Sequence, residues 1–260
     1  MPETAPLAYI TGASSGIGQA LAAAYLARGW RVVLVARRDD TMRAWVREQG
    51  VDPARVEVYS ADVQDLDSIV AAGNRCLLER GLPDVVIANA GISVGINTAE
   101  RGDLDVLCEV FATNNIGLAG TFHPFIKPMT LARRGTLVGV ASVAAIRGLP
   151  GHAGYCASKA AVVNYCESLR VELRGDGVRV VTLVPGFVDT PLTRQNTYRM
   201  PFLMSAADFA ERAVRAIDVG ARRPVIPWQM GWVVRLLRLV PDSLYDRAVT
   251  GRGRKKRRGE

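Results

Sequence analysis

Residues 7–27 of the chain read LAYITGASSGIGQALAAAYLA, and this stretch decides the kind of fold to expect. Leu7 to Ile10 is a short apolar run, typical of a buried strand, and Gln19 to Ala27 is an alanine-rich run, typical of a helix. A glycine-rich turn joins the two. A strand, a glycine-rich turn and a helix in this order are typical of the first unit of a parallel sheet that binds a dinucleotide.

The glycines of this turn have separate physical tasks. Gly12 permits a tight turn, Gly16 lets the backbone approach a pyrophosphate, and Gly18 lets the helix pack closely on the sheet. Phosphate oxygens would lie at the N-terminal end of the helix, where unpaired N–H groups and the helix dipole favour negative charge. A flexible turn without a ligand is the simpler alternative. We predict that the turn holds the cofactor through Gly12, Ser14, Ser15, Gly16, Ile17 and Gly18.

Apolar runs and helical stretches alternate through most of the chain. Further strands are predicted at Arg31 to Ala36, Val56 to Ser60, Val85 to Asn89, Leu137 to Ala141, Arg179 to Val184 and Pro224 to Pro227. Further helices are predicted at Asp40 to Gln49, Leu66 to Arg80, Leu104 to Thr121, Tyr155 to Arg174 and Ala206 to Gly220. This alternation indicates an α/β fold, with a doubly wound, parallel, seven-stranded sheet of Rossmann type and helices on both faces.

The alternation contains no linker, repeat or change of composition before about residue 190. We therefore predict a single dinucleotide-binding and catalytic domain over residues 1–250. Residues 191–205 are too long and irregular for an ordinary connection, and we predict that they form a lid over the substrate. An apolar helix is predicted at about 228–240, and the basic tail at residues 251–260 is expected to be disordered.

The end of the second strand distinguishes NAD from NADP. An acidic residue there would bind the ribose 2′-hydroxyl and repel a 2′-phosphate, but this chain has Arg37 and Arg38. Because a guanidinium binds a phosphate through two parallel hydrogen bonds, we predict NADP(H) in preference to NAD(H), with Arg37 as the ligand and Ser14 or Arg38 assisting. The alternative is a solvated arginine pair beside Asp39 and Asp40.

Tyr155 and Lys159 are candidates for a catalytic pair. They are four residues apart in a predicted helix and therefore lie on one face of it. A free phenol has a pKa of about 10, and a nearby ammonium and an oxidised nicotinamide would lower that value. Taken alone, two such residues are more commonly an exposed helix pair. Ser142, however, follows the fifth predicted strand thirteen positions before Tyr155, where its hydroxyl could bond the same substrate oxygen.

The ordered motifs resemble those of the short-chain dehydrogenase/reductase family, of the compact single-domain type. The resemblance runs from about Leu7 to Thr190. The motifs that carry it are TGASSGIG at Thr11 to Gly18, Asp62-Val63, Asn89-Ala90-Gly91, NNIG at Asn114 to Gly117, Ser142, YCASK at Tyr155 to Lys159, and Pro185-Gly186 with Thr190 behind it.

The resemblance implies a role for each matched position. Tyr155 would be the general acid in reduction and the base in oxidation, and Ser142 would orient the carbonyl. Lys159 would bind the nicotinamide ribose and lower the tyrosine pKa, and Asn114 would hold a water that links Lys159 to solvent. The other matched residues would hold the cofactor: Asp62 and Val63 at the adenine, Asn89, Ala90 and Gly91 after strand four, and Pro185, Gly186, Val188 and Thr190 at the nicotinamide, with Thr190 bonded to the carboxamide.

One position departs from the family pattern. Ala141 precedes Ser142, where the family often has a second serine; that position is usually structural, so activity is still expected. Cys156 is interpreted as a small helix residue rather than a nucleophile. His152 either faces the substrate or is a loop histidine without a role.

Composition argues against several other classes of protein. The chain of 260 residues carries a formal charge of +8, but its last ten residues hold six cations and one anion, so the remainder is only mildly basic. Nucleic-acid binding is not expected, because no recognition module or aromatic platform accompanies the tail. A metal site is not expected either, because neither of the two histidines has a second ligand at metal-site spacing.

The predicted location is cytoplasmic. Met1 to Pro6 lack the pattern of a signal peptide, and no uncharged apolar stretch reaches the ~18–20 residues needed to span a bilayer. The cysteines are expected to be reduced thiols without disulfides. They are Cys76, Cys108, Cys156 and Cys166.

The lid and the C-terminal helix are expected to set the substrate and the partners. The lid side chains either suit a hydrophobic carbonyl compound or secondary alcohol, or simply pack the loop down. Residues 228–240 (WQMGWVVRLLRLV) are apolar around most of a helix. Residues 228–258 therefore either contact an anionic membrane surface, or the helix packs over the pocket or against another subunit. The apolar lid residues are Leu192, Tyr198, Met200, Phe202, Leu203 and Met204.

The favoured function is an NADP(H)-dependent oxidoreductase that transfers a hydride between the nicotinamide and a lipophilic carbonyl compound or secondary alcohol, with Tyr155 as general acid and base. The alternative is a catalytically idle NADP-binding sensor or membrane-attached scaffold with the same fold. The alternative is disfavoured because a catalytically inactive site would have no physical need for Asn114, Ser142 and Lys159 together with the tyrosine. The family resemblance further implies a homodimer or homotetramer through the helices at Leu104 to Thr121 and Tyr155 to Arg174.

Overall fold

The protein is described by a computed structural model over residues 5–196, 199–251 and 254–259. Its strands are β1 (Leu7–Thr11), β2 (Arg31–Ala36), β3 (Val56–Ser60), β4 (Val85–Ala88), β5 (Thr136–Val140), β6 (Arg179–Pro185), β7 (Val188–Asp189), β8 (Met204–Ser205) and β9 (Val225–Ile226). Within these residues β7 pairs with β8, and the other seven strands form one parallel sheet in the order β3-β2-β1-β4-β5-β6-β9. The predicted doubly wound α/β fold is confirmed, with its reversal of strand order between β1 and β4.

Helices cover both faces of this sheet. Their bounds are α1 (Gly16–Ala27), α2 (Asp39–Glu48), α3 (Leu66–Glu79), α4 (Arg101–Phe111), α5 (Gly117–Ala132), α6 (Ala153–Glu172), α7 (Ala206–Asp218), α8 (Trp228–Leu239) and α9 (Asp242–Val249). On one face, Tyr25 of α1 and Phe209 of α7 are buried against the strands. On the other, Phe122 and Phe125 of α5 pack with α3 and α6. The strands are continuous apolar runs because both of their faces are buried.

The helix predicted at Leu104 to Thr121 is longer in the structure and is not a regular α-helix throughout. A π-helical segment, Ala112–Ile116, joins α4 to α5 and buries Thr113 and Asn114. Helix α5 continues to Ala132 although Pro124 and Pro128 lie within it. Proline lacks the amide hydrogen of a helix interior, and for this reason it normally indicates a helix end in a sequence.

The C-terminal region differs from the sequence expectation. The patterns predicted no helix after residue 240, whereas α9 packs Tyr245 against the body, with its hydroxyl donating to the carbonyl of Gly148 at 2.7 Å. Residues 251–260 were expected to be disordered, but the described residues 254–259 lie against the body, where Arg257 bonds Asp103. Within the described ranges, no helix is long and apolar enough to cross a membrane. Tyr198 of the lid, with Arg252 and Glu260 of the tail, lies outside the described residues.

Candidate active site

The glycine-rich turn after β1 is fixed from behind by the end of β4. Asn89 Nδ2 donates hydrogen bonds to the carbonyl oxygens of Thr11 and Gly12, at 3.0 and 3.3 Å. Gly12 has a φ of 66°, and a β-carbon added there would lie 2.8 Å from the α-carbon of Ala90. Only glycine satisfies both conditions without strain. The turn therefore has a defined shape that Asn89 and the absence of a side chain at position 12 both support.

Helix α1 presents an open N-terminus to the turn. Its N-cap residue, Ser15, makes no side-chain capping hydrogen bond, and no acidic residue lies in its first turn. The first N–H groups of the helix therefore have no partner from these sources, and together with the helix dipole they form a site for an anion. These features fit the phosphates of a dinucleotide.

A cleft of about 290 Å³ lies in front of this turn. The residues that line it and were predicted to hold the cofactor are Gly12, Ser14, Ser15, Gly16, Ile17, Arg37, Arg38, Asp62, Val63, Asn89, Ala90, Gly91 and Thr190. Gly18 does not line it; a β-carbon there would collide with the carbonyl oxygen of Gly12, so it lies behind the turn as a packing residue. Lining residues that the sequence did not identify are Ala36, Ala61, Gln64, Ile92 and Thr113, and the predicted lid contributes Pro191 and Leu192.

Two guanidinium groups lie at the end of the cleft that β2 forms. The side chain of Arg37 is 66% exposed, with its Nη1 3.8 Å from Oδ2 of Asp62. Arg38 Nη2 donates a hydrogen bond to the hydroxyl of Ser14 at 3.2 Å. The three residues predicted around a 2′-phosphate, Ser14, Arg37 and Arg38, thus line the same cleft, and the carboxylate of Asp62 lies beside Arg37.

A second, smaller cavity of about 90 Å³ contains three of the four predicted catalytic side chains. Ser142, Tyr155 and Lys159 line it. Ser142 follows β5 and caps a short 3₁₀ turn, where its hydroxyl oxygen accepts a hydrogen bond from the amide of Ala144 at 3.1 Å. This bond fixes the oxygen and leaves the hydroxyl hydrogen to donate. The predicted nicotinamide residues that also line this cavity are Pro185, Gly186, Val188 and Thr190.

Lys159 is a buried cation at the centre of this site. Its Nζ donates to the carbonyl oxygen of Val140 at 2.8 Å and lies 5.9 Å from the ring centroid of Tyr155. Burial lowers the pKa of Lys159 to about 8. The structure thus brings the predicted lysine near the phenol ring of the predicted proton donor.

Asn114 lies behind the cavity in the π-helical segment. Its Nδ2 donates to the hydroxyl of Ser158 at 2.9 Å and to the carbonyl of Ile92 at 3.1 Å, while its Oδ1 accepts from the amide of Ile92 at 2.9 Å. A β-carbon added at Gly91 would lie 3.2 Å from Asn114 Oδ1 and 3.3 Å from Lys159 Nζ. The two polar groups therefore flank the same glycine, so Asn114 positions the loop beside the lysine.

Thr193 is a site residue that sequence reasoning missed. Its hydroxyl donates to the carbonyl of Val188 at 2.5 Å and accepts from the amide of Thr190 at 3.0 Å. Thr193 thereby fixes the turn that carries the predicted carboxamide ligand. No motif identifies it, because a threonine in a lid sequence is typical of any polar loop.

His152, whose role the sequence left open, and Cys156, interpreted as a small helix residue, lie at the start of α6. His152 is buried, with its Nδ1 3.1 Å from the carbonyl of Pro150, and is not among the residues that line either cavity. Burial lowers the pKa of His152. Cys156 is buried as well, and burial raises the pKa of its thiol. A protonated thiol agrees with the interpretation of Cys156 as a small helix residue. All four cysteines of the chain are free.

The chain matches the family described as short chain dehydrogenase over residues 6–200. A relative from Myxococcus xanthus (strain DK1622), named "Uncharacterized oxidoreductase", is 39% identical over 241 residues, which is 93% of this chain and 95% of that protein. A short-chain dehydrogenase/reductase from Burkholderia phymatum, solved in complex with NAD, is 25% identical, with a TM-score of 0.80 over 89% of this chain and 92% of that one. An alcohol dehydrogenase from the archaeon Thermococcus sibiricus, solved with 5-hydroxy-NADP, is 28% identical, with a TM-score of 0.73 over 85% and 95%.

Proposed function

The chain belongs to the short-chain dehydrogenase/reductase family and is an oxidoreductase with a nicotinamide cofactor, and from this premise we propose that it reduces a carbonyl group with NADPH, or oxidises the corresponding alcohol. The convergence of Ser142, Tyr155 and Lys159 on one cavity carries the proposal. When bound, the nicotinamide supplies or accepts the hydride.

The proposed mechanism uses two hydroxyl groups: one donates a hydrogen bond to the substrate, and the other transfers a proton. The hydroxyl of Ser142 donates a hydrogen bond to the carbonyl oxygen and holds it in place. Tyr155 then gives its phenolic proton to this oxygen in reduction, or takes the proton back in oxidation. The ammonium of Lys159 stabilises the phenolate that remains. Asn114 is proposed to hold a water that returns a proton to Lys159 from solvent.

The preference for NADP(H) is proposed from the charges at the end of β2. Arg37 and Arg38 face the cleft without an acidic residue at the position where one would bind a ribose hydroxyl. Arg38 is already oriented by Ser14, so a 2′-phosphate would meet a guanidinium and a hydroxyl that are partly preorganised. The exposed side chain of Arg37 is free to turn from Asp62 towards the phosphate.

A lipophilic substrate is proposed from the lid. Leu192 lines both the cofactor cleft and the smaller cavity, and its apolar side chain supports a substrate with an apolar body. The ends of the lid are held by the pairing of Val188 with Met204. A screen of ketones, steroids, retinoids and acyl thioesters, followed by NADPH absorbance, tests the proposal. Stoichiometric NADPH binding without turnover of any carbonyl compound would contradict the proposed reductase activity.

Contacts with other macromolecules are proposed from exposed apolar side chains. Trp228, Trp232, Leu236 and Leu239 of α8 are exposed at helical spacing, which suits a membrane surface or a second subunit. Exposed apolar side chains on the helices proposed to form a dimer or tetramer, including Ile116, suit a second copy of the chain. Analytical ultracentrifugation and co-sedimentation with anionic vesicles distinguish these surfaces.

A further inference from the structure

The described end of the tail, residues 254–258, lies as a strap across loops that leave the sheet. The amide of Gly95 donates to the carbonyl oxygen of Lys256 at 3.0 Å, and a parallel β-bridge joins Gly95 to Arg257. A β-carbon added at Gly95 would lie 2.7 Å from the carbonyl carbon of Lys255. The strap can approach this loop closely because position 95 has no side chain.

Two ion pairs hold the strap against α4. Arg257 Nε and Nη2 donate to Oδ2 and Oδ1 of Asp103, at 2.7 and 3.2 Å. Asp103 is nearly buried and also accepts from the amide of Asn97 at 2.7 Å, and these bonds lower the pKa of its carboxyl. Arg258 Nη2 donates to Oε2 of Glu109 at 2.5 Å. A bidentate pair at a partly buried site is among the stronger ionic contacts of a protein.

These anchors place Lys255 among three loops that leave the carboxyl ends of β4, β5 and β6. Its Nζ donates to Oδ1 of Asn196, in the lid, at 2.6 Å. Its main chain adjoins Gly95, and a β-carbon added at Gly151, four residues before Tyr155, would lie 2.9 Å from the Lys255 amide nitrogen. Because α/β proteins bind substrates beyond the carboxyl ends of their strands, Lys255 lies on the substrate side of the fold.

Lys255 is a buried cation whose hydrogen-bond partner is neutral. The residue is 8% exposed, and Asn196 offers it an amide oxygen. The ion pairs recorded between described residues include those of Arg257 and Arg258 but none of Lys255. An ammonium has three N–H donors, and a buried charge without a counterion is unfavourable. The site therefore favours an anion from outside the described chain.

We propose that Lys255 is a specificity-determining residue that binds an anionic group on the carbonyl substrate. The inference rests on the proposed function and narrows its substrate to compounds that join a carbonyl and an apolar body to a carboxylate, sulfonate or phosphate. The anion supplies the counterion that no described residue provides for Lys255, and accepts hydrogen bonds from Nζ beside Asn196. The apolar body contacts the lid at Leu192.

The test compares acids with their neutral esters. Aldehydic acids of increasing chain length, beginning with 4-oxobutanoate, are assayed with NADPH against their methyl esters, and kcat/KM is measured for each pair. The wild type is expected to prefer the acids by about tenfold to a hundredfold, the range that one charge-assisted hydrogen bond supplies. Lys255→Met should remove this preference while leaving kcat/KM for the esters and NADPH affinity nearly unchanged, and Lys255→Arg should retain most of it.

Lys256→Met is the matched control, because the Lys256 side chain is exposed and only its carbonyl oxygen contacts Gly95. Its preference for acids should equal that of the wild type. A variant that only loosens the fold would lower the values for acids and esters together, and this result would count against a charge contact. Turnover of neutral carbonyl compounds alone overturns the Lys255 inference and leaves the proposed function standing. Absence of turnover for every carbonyl compound overturns both.

Discussion

Lys159 Nζ donates a hydrogen bond to the main-chain carbonyl oxygen of Val140, 2.8 Å away. The bond joins the buried face of α6 to the last residue of β5, two residues before Ser142. It is therefore one of the contacts between the helix that carries Tyr155 and the strand that leads to the serine. The bond adds to the packing of α6 on β5, where Val162 and Cys166 adjoin Gly139, in holding the proposed proton donor near the proposed carbonyl ligand.

Replacing Tyr155 with phenylalanine should remove turnover and preserve cofactor binding. The ring remains, but the proton donor is lost, and kcat is expected to fall by about 10² to 10⁴, the contribution of a general acid. Steady-state NADPH oxidation measures the first effect and NADPH fluorescence titration the second. Tyr165→Phe is the control, since that tyrosine is partly exposed on the same helix and should be neutral. Equal activity of the Tyr155 variant and the wild type would disprove the mechanism.

Replacing Arg37 with alanine should weaken the binding of NADPH more than the binding of NADH. The variant loses a charge-assisted bond to the 2′-phosphate, so the Kd for NADPH is expected to rise about tenfold to a hundredfold, with little change for NADH. Isothermal titration with both cofactors measures the difference. Arg43→Ala is the control, because Arg43 pairs with Asp39 on the following helix. An equal loss of affinity for both cofactors would show that Arg37 does not bind the 2′-phosphate.

The stability of the cofactor-free protein should depend on pH through Lys159. Burial lowers the folded-state pKa of Lys159 from 10.5 to about 8, so the folded state disfavours the ammonium. The free-energy cost of burying the ammonium is fully present below pH 8. It decreases as the pH rises from 8 to 10.5 and is absent above 10.5. The full cost is about 3 kcal/mol.

The measurement compares the wild type with Lys159→Met in urea. The wild type should gain free energy of unfolding relative to this variant between pH 7 and pH 10. Lys127→Met, at an exposed position, should show no such change. A difference between the wild type and Lys159→Met that is constant across this range would contradict the prediction.

Replacing Asp103 with asparagine should release the strap. The variant keeps the shape of the side chain but removes the carboxylate that binds Arg257 at two atoms, so trypsin should cleave within residues 254–258 faster by about tenfold. Mass spectrometry of the released peptides follows the rate. Asp105→Asn is the control, because Asp105 forms an exposed pair with Arg101 on the same helix. Equal cleavage of the two variants would show that the strap does not depend on this anchor.

The parts of the fold that the sequence predicted correctly depend on local patterns. The turn at Gly12 and the strand runs are each contained in a short stretch of chain. The docked tail was not predicted, because its anchor joins Arg257 to Asp103 across 154 positions, and a run of cations is typical of a solvated segment. Thr193 was missed for a similar reason, since its role arises from one turn geometry.

The π-helical segment Ala112–Ile116 makes the direction of Asn114 sensitive to the number of residues before it. Each residue of an α-helix turns the chain by about 100°. A π-turn holds one extra residue, so deleting one position within 112–116 would restore a regular α-helix and rotate one half of the long helix against the other by roughly that angle. Asn114 would then no longer reach both Ile92 and Ser158. Insertions and deletions here should therefore be less tolerated than substitutions of the exposed residues around them.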